Sequence, residues 1–332
     1  MGRHEARFWT KEKDGKVQCL LCPHRCLLAE GKKGLCQVRV NDGGTLFTMN
    51  YGKIGALALD PVEKKPLYHF YPGRAILSAG TFGCNFSCGF CQNYELVAGN
   101  VPTSDLEPEK LVELAEELKE RDNIGIAYTY AEPLVWYEYV LETCRLAKGR
   151  GLKNVLVTNG FVEEEPLVEL LPYIDALNID LKSFRDEFYR KICRGRLEPV
   201  LRTIETASRA VHVEVTTLLI PGMNDSVEEI DELAGWLAAV DKNIVLHLSR
   251  YHPAREFTLP PTPIASLYQA RDAAKRHLYY VYLGNLGNVD NNTYCPGCGS
   301  LLVERSGYFT KVTGVRQGRC LHCGTDIEII GT

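Results

Sequence analysis

The chain has 332 residues, of which 45% are hydrophobic and 24% charged, and its net charge is −4. Such a length accommodates one large core or two domains, and the composition is that of an ordinary globular protein. The charge gives no bulk electrostatic case for nucleic acid and no apolar run reaches bilayer-spanning length, so nucleic acid and membrane are not expected partners.

The N-terminus, "MGRHEARFWTKEKDGK", lacks the apolar stretch of a secretory signal, which points to the cytoplasm. Residues 1–40 carry nine Lys/Arg against four Asp/Glu, so this stretch is either a solvated surface or an arm for an acidic partner. Thirteen cysteines are present, and eleven fall into three groups: Cys19/Cys22/Cys26/Cys36, Cys84/Cys88/Cys91 and Cys295/Cys298/Cys320/Cys323. Clustered cysteines in a cytosolic chain point to metals rather than disulfides.

In chain order, residues 16–40 form a cysteine-rich segment, and residues 41–75 read as a linker rich in turn residues ("NDGG", "DPVEKKP", "YPG"). From residue 76 short apolar runs alternate with amphipathic stretches. "AILSAGTFG", "NIGIAYTY", "KNVLVTNG", "IDALNIDLK", "VHVEVTTLLIPG", "NIVLHLSRY" and "YYVYLGN" read as strands. "EPEKLVELAEELKER", "LVWYEYVLETCRLAKGRG", "EEEPLVELLPY", "LEPVLRTIETASRA", "SVEEIDELAGWLAAV" and "IASLYQARDAAKRH" read as the helices between them. Repeated strand–helix units build a parallel α/β sheet; about six units suit an incomplete (β/α)6 barrel, with a flat doubly wound sheet as the alternative. The expected divisions are a cysteine-rich segment and linker (1–72), a partial barrel (73–288) and a C-terminal paired-CxxC module (289–332).

The middle group, in "GTFGCNFSCGFCQN", offers three thiolates and leaves one metal position free. Thiolates select zinc, copper(I) or iron–sulfur clusters, and an open position is the mark of a catalytic centre. Cys295-Pro-Gly-Cys298 and Cys320-Leu-His-Cys323 are paired knuckles with the spacing of a zinc ribbon; iron is the rival metal, and Arg305, Lys311, Arg316 and Arg319 nearby give the module a docking alternative. Cys19, Cys22, Cys26 and Cys36 are less regular. They read as a second zinc site, with His24 as a substitute ligand, or as an auxiliary cluster. Cys144 sits on an apolar helix face and reads as core, whereas Cys193 in "KICRGR" reads as either core or a reactive thiol among basic residues. His247 alternates with apolar neighbours and reads as a satisfied interior residue.

"GCNFSCGFCQN" resembles the signature of radical S-adenosylmethionine (SAM) enzymes. Across nearly the whole chain, "CLLCPHRC", "DPVEKKPLYHFYPG", "AYTYAEP", "FYRKICRGRLEPV" and "IPGMND" resemble the AmmeMemoRadiSam group, a relative of the activases of glycyl-radical enzymes such as pyruvate formate-lyase. The resemblance implies a [4Fe–4S] cluster on Cys84, Cys88 and Cys91 whose free iron binds SAM. Reductive cleavage then gives a 5′-deoxyadenosyl radical that takes hydrogen from a protein or small-molecule substrate. It further implies Phe90 near the adenine, Glu132 of "TYAEP" against the SAM ammonium, Thr158 and Asn159 of "VTNG", Asp180 and Lys182 of "DLK" near the methionine carboxylate, and His252 of "SRYHP" at the ribose. Tyr130 and Ala131 replace two glycines of the activase motif, and Val157 replaces an aspartate. A ferredoxin or flavodoxin is implied as electron donor, and Memo-like and AMMECR-like proteins as partners. The ferredoxin-like insertion of activases is absent after Cys91. A reading of another class, a non-catalytic zinc-binding scaffold or nucleic-acid adaptor, predicts zinc alone at all three cysteine groups.

Overall fold

The apolar runs pair into one eight-stranded sheet. In the computed structural model, which describes residues 4–287 and 289–332, its strands are β1 (Ala56–Pro61), β2 (Ala75–Gly80), β3 (Asn123–Tyr128), β4 (Lys153–Thr158), β5 (Ala176–Asp180), β6 (His212–Leu219), β7 (Val245–Arg250) and β8 (Val281–Gly284). The domain boundary expected at residue 288 lies outside the described residues. The strands lie side by side in sequence order, β2 to β8 parallel and β1 antiparallel to β2. The hydrogen-bonded order has two ends, β1 and β8.

Between the parallel strands run α1 (Pro108–Glu117), α2 (Tyr137–Gly149), α3 (Glu164–Leu170), α4 (Leu197–Ser208), α5 (Val227–Val240) and α6 (Ile264–Ala274). Their sequences explain where they start and which face they bury. Proline opens α1, and Leu111, Val112 and Ala115 are its buried stripe. Ser226 caps α5 by accepting from the Glu229 N–H at 3.2 Å. The strands read as continuous apolar runs because both faces of a parallel sheet are covered.

The stretch read as a linker is more ordered than its turn residues imply. It contains β1 and most of the hairpin of Arg39–Asp42 with Thr45–Thr48, whose first two residues belong to the preceding segment. "ALALDP" lacks the β-branched and aromatic residues that mark a strand; pairing with β2 supplies what propensity does not.

The N-terminal segment folds against α2 and the start and body of α3. Arg7 meets Glu169 at 2.7 Å, Arg25 meets Glu163 at 2.7 Å and buried Arg39 meets buried Glu138 at 2.5 Å. These three arginines of the basic stretch thus find carboxylates within the same chain. At the other end, β9 (Leu301–Ser306) and β10 (Phe309–Val312) form a hairpin over a small core that includes Leu302, Val303, Val315 and Ile327. Arg305 donates within the module to Thr293 Oγ1 at 2.6 Å and ties the module to the segment between β1 and β2 through the Tyr68 carbonyl at 2.7 Å. Among the described residues, no helix is long and apolar enough to cross a membrane.

Candidate active site

The three-cysteine loop leaves the C-terminal end of β2, the edge at which parallel α/β sheets bind ligands. Its sharp entry depends on Gly83, at φ +95°, where a Cβ would lie 2.4 Å from Val38 Cγ1. Side chains and backbone of other elements then fix the loop. Asn85 Nδ2 donates to the Phe161 carbonyl at 2.7 Å, Ser87 N–H to the Cys193 carbonyl at 3.0 Å, and Arg255 Nη1 to the Cys88 carbonyl at 2.9 Å.

Cys84, Cys88 and Cys91 all line one cavity of about 430 Å³. Phe90, Tyr130, Glu132, Thr158, Asn159, Asp180 and Lys182 line it too. His252 does not: it is exposed. Arg255, three residues on, lines the cavity. Lys64, Thr216, Ser249 and Asn285 also line the cavity and were not singled out in the sequence, although Lys64 falls in "DPVEKKP" and Ser249 opens "SRYHP". Thr216 and Ser249 lie near the C-terminal ends of β6 and β7, and strand-end position is the signal that could have found them.

Glu132 is almost fully buried. Its Oε1 accepts from Thr158 Oγ1 at 2.6 Å and from the Leu134 N–H at 3.0 Å, and its Oε2 from the Asn159 N–H at 2.8 Å. It therefore caps the short helix Pro133–Trp136 and ties the ends of β3 and β4 together. Burial pushes its carboxyl up to about 7, against the bonds from Asn159, Thr158 and Leu134. Lys182 Nζ sits 2.9 Å from Asp180 Oδ2 and 5.8 Å from the Phe90 ring centre. Burial opposes its charge, yet Asp180 and the nearby Cys88 and Cys193 sulfurs hold the ammonium well above the usual lysine range.

Tyr130 answers what became of the replaced glycines. It takes φ +70°, the left-handed conformation that glycine adopts freely, at a cost of about 1 kcal/mol. Its hydroxyl donates to Asp60 Oδ2 at 2.7 Å and Lys65 Nζ lies 4.6 Å above its ring, so tertiary contacts hold the strained residue.

Cys193 is fully buried, as is Cys144. A π-helical turn, Tyr189–Cys193, brings its thiol to hydrogen-bonding contact with Cys88. Gly195 permits this close approach, since a Cβ there would lie 2.3 Å from Phe86. Burial pushes the Cys193 thiol well up, against the lowering its basic neighbours in sequence suggest, while its hydrogen bond brings Cys88 down. Cys193 is not among the residues that line the cavity.

The donor set fits a soft metal–sulfur group. Three thiols share one cavity, and the Phe86 N–H and Asn159 Nδ2 lie 3.3 Å and 3.7 Å from Cys84 Sγ, where they would stabilise a thiolate. Residues 79–237 match the radical SAM superfamily. An uncharacterized protein of Methanocaldococcus jannaschii is 43% identical, over 98% of this chain and 99% of its own length. The chain belongs to the radical SAM superfamily. Membership implies a [4Fe–4S] cluster and SAM, and the cavity supplies three thiols with polar groups around them. More distant relatives include a pyruvate formate-lyase-activating enzyme of Clostridium pasteurianum, 24% identical over 51% of this chain and 72% of that protein. Among solved structures, a radical SAM methyltransferase from Sphaerobacter thermophilus matches with a TM-score of 0.52 at 17% identity, covering 70% of this chain and 71% of that one. That likeness concerns the fold.

The radical SAM cavity continues sideways. A second chamber of about 400 Å³ shares Lys64, Pro66, Ser249 and Asn285 with it, and is bounded by Tyr68, His247, Arg305 and Tyr308. His247 is held by buried Glu214 at 2.6 Å. Glu214 also accepts from His212 at 3.0 Å and from the Tyr68 and His69 N–H groups at 2.9 and 2.7 Å. His247 is thus bonded and interior, as its neighbours in sequence implied, and its ring also reaches a chamber wall.

In the C-terminal module Cys295 and Cys323 sulfurs are 3.6 Å apart and those of Cys298 and Cys320 3.8 Å. All four lie within 4.8 Å of one another. Tetrahedral zinc at about 2.3 Å from each sulfur sets them about 3.8 Å apart, so the group has the dimensions of a single-ion site.

Proposed function

We propose that this chain binds SAM at the strand ends beside Cys84, Cys88 and Cys91 and uses it to take hydrogen from a small-molecule substrate in the adjoining chamber. The observation that carries the reading is the convergence of these three thiols, buried Glu132 and the Asp180–Lys182 pair on one cavity of about 430 Å³. When bound, a [4Fe–4S] cluster supplies the single electron that cleaves SAM to a 5′-deoxyadenosyl radical.

The chain's own groups do the rest. Glu132 accepts from the amino group of SAM, Lys182 meets its carboxylate as a point charge, and Phe90 packs against the adenine. The second chamber, at about 400 Å³, lies in the size range of pockets for small molecules. Its wall from β9 and the hairpin tip keeps water from the radical. Zinc at Cys295, Cys298, Cys320 and Cys323 would hold that wall in shape. A ferredoxin or flavodoxin supplies the electron.

Anaerobically reconstituted protein, given dithionite and SAM, should release 5′-deoxyadenosine. Full iron loading with no 5′-deoxyadenosine would contradict the reading and favour a zinc-binding scaffold. A glycyl radical raised on a partner protein, rather than turnover of a metabolite, would return the chain to the activases.

A further inference from the structure

The four N-terminal cysteines converge on the same spot in the fold but not in the manner of a zinc site. Cys19, Cys22, Cys26 and Cys36 line one enclosed cavity, together with Arg39 and Val135. Among the described residues, the C-terminal group is the one whose ligand atoms all lie within 4.8 Å of each other. The N-terminal sulfurs do not meet that condition, which four sulfurs closed on one ion at about 2.3 Å would meet. A larger body, with several metal atoms between the thiolates, accounts for the wider spacing.

Burial pushes the Cys22, Cys26 and Cys36 thiols up, and backbone N–H groups act against it. The His24 N–H is directed at Cys22 Sγ, the Leu35 N–H at Cys26 Sγ, and the Val38 and Arg39 N–H groups at Cys36 Sγ. Such N–H···S bonds favour the charged, metal-bound form. Arg39 is 1% exposed, and its Nε finds no partner although Nη1 and Nη2 bond the Arg7 carbonyl and Glu138. Glu138 balances the guanidinium charge, and the spare Nε donor lies in the wall of the four-cysteine cavity, where a metal-bound thiolate or sulfide would accept from it.

We propose that Cys19, Cys22, Cys26 and Cys36 bind a second [4Fe–4S] cluster, ligated at all four irons, in place of the zinc that cysteine spacing alone suggests. The site packs directly on the radical SAM loop. Cys36 and Val38 form an apolar cluster with Val135 and Phe82, and His24 Nε2 lies 2.7 Å from the Asn85 carbonyl. The N-terminal segment is therefore an iron–sulfur module that braces the first turn of the three-cysteine loop. This inference does not depend on SAM chemistry at Cys84, Cys88 and Cys91, and the test separates the two.

Full-length protein is reconstituted anaerobically with iron and sulfide in three forms: wild type, the triple variant Cys84→Ala/Cys88→Ala/Cys91→Ala, and the double variant Cys22→Ser/Cys26→Ser. Iron, sulfide and zinc are counted per chain, and reduced samples are examined by EPR with and without SAM. Wild type should hold about eight irons and each variant about four. The triple variant's signal should ignore SAM, and the double variant's should shift with it. A triple variant that holds no iron, or zinc in its place, overturns the second cluster. The triple variant decides alone if the double variant fails to fold. A second cluster in protein whose remaining iron ignores SAM would overturn the reading of Cys84, Cys88 and Cys91 and leave this one standing.

Discussion

Glu132 offers a quantitative test of the SAM site. Burial holds its carboxyl up to about 7, above the ordinary glutamate range. SAM's amino group is best accepted by the carboxylate, so binding competence is present above this value and is lost as pH falls through it. The sign for folding is opposite: the protonated form is the better buried one, so this group adds to stability as pH drops from 7 toward the usual carboxylate range. Apparent affinity scales with the competent fraction, which is about three-quarters at pH 7.5 and about one-tenth at pH 6. Glu132→Gln removes both the charge and the titration. Truncating a buried charged contact costs about 2–5 kcal/mol, so at the higher pH the variant's Kd for SAM should be at least about thirtyfold weaker. Because SAM's own amino group titrates in both proteins, the ratio of the two Kd values isolates Glu132. That ratio should shrink about eightfold from pH 7.5 to pH 6. SAM binding is measured by equilibrium filtration on cluster-loaded protein. A ratio that stays constant with pH would refute the assignment of Glu132 to the amino group.

Three further outcomes follow from other sites. Cys193→Ala removes a thiol donor from Cys88 and should move the cluster's midpoint potential to more negative values in an EPR-monitored titration, while Cys193→Ser, which keeps a donor, should stay closer to wild type. Glu214→Gln leaves His212 and His247 facing a neutral partner and should lower stability by about 3–5 kcal/mol in chemical unfolding; despite burial, the two histidines hold the Glu214 carboxyl well below its usual range, so this contribution is present at neutral pH and lost in acid. Cys298→Ser should release one metal ion per chain and expose residues 289–332 to limited proteolysis while the sheet stays protected.

What the sequence made legible follows its periodicities and its motifs. The parallel strands and their helices were readable because apolar runs of six or so residues alternate with 3.6-residue stripes, as in β4 and α4. The three-cysteine loop and the residues at strand ends were readable because Glu132, Asn159 and Asp180 follow apolar strands directly. Other features left no local signal. β1 has weak strand propensity and exists through its pairing with β2. The π-helical turn that turns Cys193 toward Cys88 has no sequence signature. His252 matched a motif, but a loop residue's direction is set by the contacts of its neighbours, and here Arg255 faces inward. Cysteine spacing could not tell zinc from a cluster at the N-terminal site, since that difference lies in the distances between sulfurs and not in their order.

The most direct test is the reduced-state EPR spectrum of anaerobically reconstituted protein recorded before and after SAM is added, with 5′-deoxyadenosine measured in the same sample. A SAM-induced change in the spectrum, lost in Cys84→Ala/Cys88→Ala/Cys91→Ala, together with 5′-deoxyadenosine formation, is the predicted result. An unchanged spectrum and no 5′-deoxyadenosine from protein with full iron at these three cysteines would contradict it.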